Sequence, residues 1–165
     1  EKKEKAMKFK YAIGVLLLLA IILSSCDADR VYDRYKEIPK YIWNYEQPVV
    51  FDVDIEDTIE FHNMYLNVRH ASNYMFKNLY VFISITYPDN KISIDTVECV
   101  LGDDKGKWLG EGLGGIWDNK ILIKKAFKFP QTGNYKFELK HGMRMDNLPF
   151  VMDIGMRIEK YKTSK

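Results

Sequence analysis

Val49-Val50-Phe51-Asp52-Val53-Asp54-Ile55-Glu56 is the stretch on which the fold turns. Val49, Phe51, Val53 and Ile55 alternate with Val50, Asp52, Asp54 and Glu56, a period of two that describes a strand with one buried and one wet face. Working outward toward the C-terminus, the same signature returns. Leu79 to Tyr87 (LYVFISITY) is β-branched and aromatic, and Pro88-Asp89-Asn90 supplies a turn behind it. Asp95 to Leu101 places Val97, Cys99 and Leu101 on one face. Ala126–Phe129, the turn Pro130-Gln131-Thr132-Gly133, and Tyr135, Phe137 and Leu139 read as a hairpin, and a last strand spans Asp153 to Tyr161. No mature stretch carries a sustained 3.6-residue period. The expected fold is all-β: a single antiparallel β-sandwich over residues 43–165, with a jelly roll as one form it could take.

Outward toward the N-terminus the character changes. Residues 26–42 include the charged run DADRVYDRYKEIPK and read as a lipidated cysteine and tether, on which Tyr32 and Tyr35 are free to dock. Residues 1–25 read as a signal peptide with a few upstream residues, translation starting at Met7. Lys8 and Lys10 form its basic region, and Tyr11 to Leu23 its apolar core of 13 residues. That core is too short for a spanning helix, which needs roughly 20 residues. Leu23-Ser24-Ser25-Cys26 matches a bacterial lipobox, in which Cys26 takes the lipid and two or more acyl chains hold the protein to a bilayer.

Removing the leader leaves 20 basic and 21 acidic side chains, so the net charge of +2 belongs to the leader and no basic stripe points to nucleic acid. With Cys26 lipidated, Cys99 is the one remaining thiol, which rules out an internal disulfide.

Chemistry-bearing patterns are few. Gly110-Glu111-Gly112-Leu113-Gly114-Gly115 satisfies G-x-G-x-x-G, but no strand-then-helix context surrounds it. Six of the ten glycines nevertheless fall between Gly102 and Gly115, with Trp108 and Trp117 among them. Either this is a long ordered loop packed down by its tryptophans, or it is a surface shaped for a partner; the two are compatible. Trp108, Gly110, Gly112 and Trp117 are therefore the candidate partner-binding residues. Asp52 to Asp57 lacks the glycine and glutamate of a calcium loop and reads as the wet face of a strand. His62, His70 and His141 lack zinc-site spacing and read as surface or hydrogen-bonded histidines. Asp153, Glu111 and Asp118 allow acid–base pairings, as any carboxylate-rich chain does. No catalytic residue, metal ligand or cofactor is expected.

Several segments together resemble one family. They are Tyr32-x-x-Tyr35-x-x-Ile38-Pro39 before Trp43, Pro48-Val49 with Phe51, Ile55-x-Asp57-Thr58 and Tyr65-x-Asn67-Val68-Arg69. They continue through Asn78-Leu79-Tyr80, Pro88-Asp89, Asp95-Thr96, Gly106-Lys107-Trp108-Leu109-Gly110-x-Gly112, Met143-Arg144 and Gly155-Met156-Arg157-Ile158-Glu159. Their order is similar to that of the gliding-motility lipoprotein GldH family of Bacteroidota, with departures at Met75 and Gly115. The resemblance implies a non-enzymatic lipoprotein of the outer membrane that supports gliding machinery and linked surface-protein secretion, with other envelope proteins as partners. The competing reading is a surface carbohydrate-binding lipoprotein using Trp43, Trp108 and Trp117. Coplanar tryptophans on a concave face would favour sugar; tryptophans buried under the glycine loop would favour a protein contact.

Overall fold

The computed structural model describes Asp27 and residues 29–162. The signal peptide (1–25) and Cys26 lie outside the described residues. The strands are β1 (Arg30–Glu37), β2 (Ile42–Asn44), β3 (Val49–Ile55), β4 (His62–Ala71), β5 (Asn78–Thr86), β6 (Ile92–Val100), β7 (Glu111–Leu113), β8 (Ile116–Phe127), β9 (Gly133–His141), β10 (Asn147–Pro149) and β11 (Val151–Lys160). A 3₁₀ turn at Pro39–Tyr41 interrupts them.

Two antiparallel sheets carry the domain, one ordered β1-β11-β4-β8-β7 and the other β3-β9-β5-β6, with a small β2–β10 pair at one end. Setting aside the three-residue strands, β1 pairs with β11, β3 with β9, β4 with β8 and β5 with β6. First pairs with last, second with next to last, and so inward to the Tyr87–Lys91 turn, where Asn90 takes φ 64°. This is one long two-stranded ribbon rolled up on itself. The sandwich is of the jelly-roll form.

The alternation read in β3 is present: Val49, Phe51, Val53 and Ile55 are buried while Asp52 and Asp54 are exposed. They face Met64, Leu66 and Val68 of β4 and Ile154, Met156 and Ile158 of β11 in one core. Val81, Ile83, Tyr135, Phe137 and Leu139 complete it from the second sheet. Cys99 is buried beside Leu101, as their shared strand face requires.

Two expectations fail and a third is narrowed. Arg30–Glu37 is a strand bonded along β11, so from Arg30 on the stretch expected as a tether is part of the domain. Its charged side chains misled because β1 is an edge strand, where charge blunts unwanted pairing and one face stays wet. Ala126–Leu139 is not a hairpin: β8 and β9 belong to different sheets, and the chain crosses between them through buried Phe129. Of the two readings of the histidines, surface or hydrogen-bonded, the first is excluded, since His62, His70 and His141 are inside at 1%, 0% and 0% exposure, and His70 meets the second through Nδ1, 3.0 Å from Ala71 O.

Candidate interaction surface

The Gly102–Gly115 segment is shorter as a loop than its length suggests. Leu101 and Gly102 donate backbone N–H groups to the Lys77 carbonyl, and Leu109 N–H donates to Leu101 O at 2.9 Å. Asp103 Oδ1 accepts from the N–H groups of Lys105 and Lys107, closing a tight turn. From Glu111 the chain is already strand, pairing Glu111, Gly112 and Leu113 with Asp118, Trp117 and Ile116. Gly114 and Gly115 take φ 61° and 85° between Leu113 and Ile116. A two-residue hairpin turn with both φ values positive needs glycine, asparagine or aspartate, so the G-x-G-x-x-G string is a hairpin signal.

Each candidate residue has a definite position. The Trp108 ring is half-buried, meeting His70 edge-on at 4.5 Å with Tyr74 behind it at 6.4 Å. Burial pushes the His70 imidazole below the usual histidine range, keeping it neutral, while its Nδ1 lies 3.0 Å from Ala71 O. Trp117 lies over its cross-strand partner Gly112, where a Cβ would come within 2.6 Å of the indole, and its Nε1–H donates to Ser72 Oγ at 3.0 Å. Gly110 abuts the β8 backbone. Trp43 is buried, edge-on to His141 at 5.4 Å. The three tryptophans therefore build no coplanar platform, and two of the four candidates, Gly110 and Gly112, act by lacking a side chain.

What this scaffold presents is apolar. Leu113 at the hairpin tip is 89% exposed, with exposed Ile116 opposite it in the ladder. Ser72 N–H donates to Gly115 O at 2.8 Å, tying the tip to the β4–β5 connection, where Met75 is also exposed. The same end of the sandwich carries exposed Tyr41 and Ile42. Lys40, Tyr41 and Phe150 all hold positive φ there, and Phe150 N–H donates to Tyr41 O at 2.7 Å. Non-glycine residues in this conformation store local strain and gather where shape matters. Leu113 was readable as exposed, since apolar residues flanking a two-residue Gly-Gly turn sit at a hairpin tip; Tyr41 and Ile42 had no such signal.

Of the three carboxylates considered for acid–base work, Asp118 and Asp153 are held by Arg69. On the outward face of the five-stranded sheet, Arg69 binds Asp118 at 2.8 Å and Asp153 at 3.2 Å, with its guanidinium 5.2 Å above the Tyr35 ring. Asp118 holds the Arg69 guanidinium above its usual range. Glu111 lies opposite Asp118 in the ladder. Alongside, Arg157 joins Asp33 and Glu159, and Lys120 sits 4.0 Å over Tyr65. Tyr35, Tyr65, Arg69, Arg157 and Glu159, scattered in sequence, thus share one outward face, with the Tyr35 ring covering Gly155 and Asn67 buried beneath that face.

Residues 30–158 match the profile of a family described as GldH lipoprotein. The chain belongs to the GldH lipoprotein family. It is 34% identical over 154 residues to the gliding motility lipoprotein GldH of Flavobacterium johnsoniae, covering 89% of this chain and 95% of that protein. It is 31% identical over 161 residues to the gliding motility lipoprotein GldH homolog of Christiangramia forsetii, covering 93% and 98%. Of the segments that carry the GldH resemblance, those of β1, β4 and β11 meet in the five-stranded sheet, and most of the others lie in the second sheet and the loops.

Proposed function

We propose that the protein is a non-catalytic lipoprotein of the outer membrane, anchored through Cys26, that serves gliding machinery and the surface-protein secretion linked to it. It does so by docking an envelope protein on the end of the sandwich built around Leu113. The observation that carries this reading is the hairpin tip: an almost fully exposed leucine held in place by the Gly112–Trp117 stack and the Ser72 bonds. An ordered apolar side chain in water has no structural use there, and exposed apolar clusters with polar rims mark protein contacts. Trp108, Gly110, Gly112 and Trp117 contribute as the frame beneath that surface. The carbohydrate reading draws no support from the tryptophans, which lie edge-on or against glycine.

The test replaces the chromosomal gene. Leu113→Asp should melt within about 0.5 kcal/mol of wild type, as surface substitutions do, and keep its lipid, yet fail to restore colony spreading and surface-protein secretion. Full complementation would remove the tip from the contact. Cys26→Ser should lose metabolic palmitate label, and retained label would sink the anchor assignment.

A further inference from the structure

The two ends of the sandwich are not equivalent, and the end opposite Leu113 has a feature the proposed docking leaves unused. Asp27 directly follows Cys26, and it is already bonded into the sheet: its carboxylate pairs with Arg157, and its carbonyl accepts from Arg30 N–H at 3.2 Å. The Asp29 carbonyl accepts from Lys160 N–H at 2.8 Å. Consecutive Cα atoms are about 3.8 Å apart. A lipid on Cys26 is thus one peptide link from the folded body, and no spacer lifts the domain off the bilayer.

That geometry fixes which loops meet the membrane. The β3–β4 connection turns back at this end, where Asp57 Oδ1 accepts from Ile59 N–H at 2.7 Å and from Glu60 N–H at 3.3 Å. Ile59 is left 79% exposed and Phe61 48% exposed. Phe61 O accepts from Tyr161 N–H at 2.7 Å, and Lys128 Nζ stands 5.9 Å over the Phe61 ring. Lys128 and Lys160 are exposed beside the pair, with Glu56, Asp57 and Glu60 in the same loop. Apolar side chains at a loop tip, ringed by long cationic side chains whose stems are greasy and heads polar, suit the headgroup and acyl boundary. Because acids balance the cations, the seat is apolar rather than polybasic and needs no anionic lipid.

We infer that Ile59 and Phe61 seat this end of the sandwich in the phospholipid bilayer that holds the anchor, so that the strands stand on the membrane and raise Leu113 above it. β4, whose ten residues run from His62 beside the seat to Ala71 beside the tip, sets the height at about 30 Å at roughly 3.3 Å per residue. The inference rests on lipidation at Cys26.

The experiment uses the full lipidated chain in vesicles of phosphatidylethanolamine and phosphatidylcholine containing doxyl-labelled phosphatidylcholine. Ile59→Cys, Phe61→Cys and Leu113→Cys are each labelled with bimane, buried Cys99 staying silent. Ile59→Cys and Phe61→Cys fluorescence should fall several-fold relative to vesicles without doxyl lipid, while Leu113→Cys is unchanged. If the protein floats with the vesicles but the first two labels are quenched no more than the third, the seat is overturned and the anchor stands. A protein that does not float and carries no palmitate overturns the anchor, and the seat with it.

Discussion

A Cβ built on Gly110 would lie 2.4 Å from the Asp118 carbonyl oxygen, and because the obstacle is backbone it has no rotamer through which to yield. Gly110→Ala should therefore part β7 from β8 and cost about 1–3 kcal/mol, the range for overpacking, read as a lowered urea midpoint. Trp108 stabilises differently. Its half-buried ring covers His70 and Tyr74, so Trp108→Ala should cost about 3 kcal/mol, the low end for deleting a core aromatic. A Trp108→Ala variant that melts like wild type would make this loop ordinary surface. Cys99 is the residue most legible in sequence, because Val97, Cys99 and Leu101 had to share a face. Burial pushes its thiol up to about 12. It should resist thiol reagents in the native state and react at once in denaturant. The glycines were legible only as a cluster, since what each one touches is decided by the partner strand.

At the scale of elements, β3, β5 and β9 were readable because their buried faces alternate cleanly with wet ones. β1 was not. Its inward Lys36 lays its stem toward Phe51, with Nζ 5.6 Å from the ring, and its outward Asp33 and Tyr35 serve the Arg157 and Arg69 networks. Charge here is half of a sheet surface, which composition alone cannot distinguish from a tether. β4 opens on His62 and carries His70 one residue before its end, and its outward Asn63, Asn67 and Arg69 pair across strands with residues far away in sequence. What holds β1 down is checkable at Gly155, where a Cβ would come within 2.8 Å of the Tyr35 ring. Gly155→Val should displace that ring and raise amide exchange across Tyr32–Lys36, while the β4–β8 ladder keeps its protection. Uniform loss of protection in every strand would show instead that β1 and the core open as one unit.

At the scale of the whole molecule, the rolled ribbon closes over three histidines that no spacing rule could have placed. His62 meets Phe129 edge-on at 5.3 Å, His70 meets Trp108, and His141 meets both Trp43 and Tyr45. Each lies in a separate aromatic pocket, and desolvation lowers all three below the ordinary value of 6.5. The sign follows from which state holds the proton. Above pH 6.5 the histidines are neutral folded or unfolded and stability does not depend on them. As pH falls below 6.5 the unfolded chain takes up protons that the folded one refuses, and stability drops until the depressed folded values are passed. Each histidine adds a slope of up to about 1.4 kcal/mol per pH unit. The carboxylates held low by partners, Glu159 among them, are lost only in more acid solution. Urea midpoints between pH 7.5 and 5 should therefore fall steeply, and a change to phenylalanine at His62 or His141 should remove about a third of the slope each, on the order of one histidine's linkage. A slope unchanged in both variants would mean that these pockets open to solvent before the sandwich does, so that the aromatic walls do not hold the imidazoles neutral.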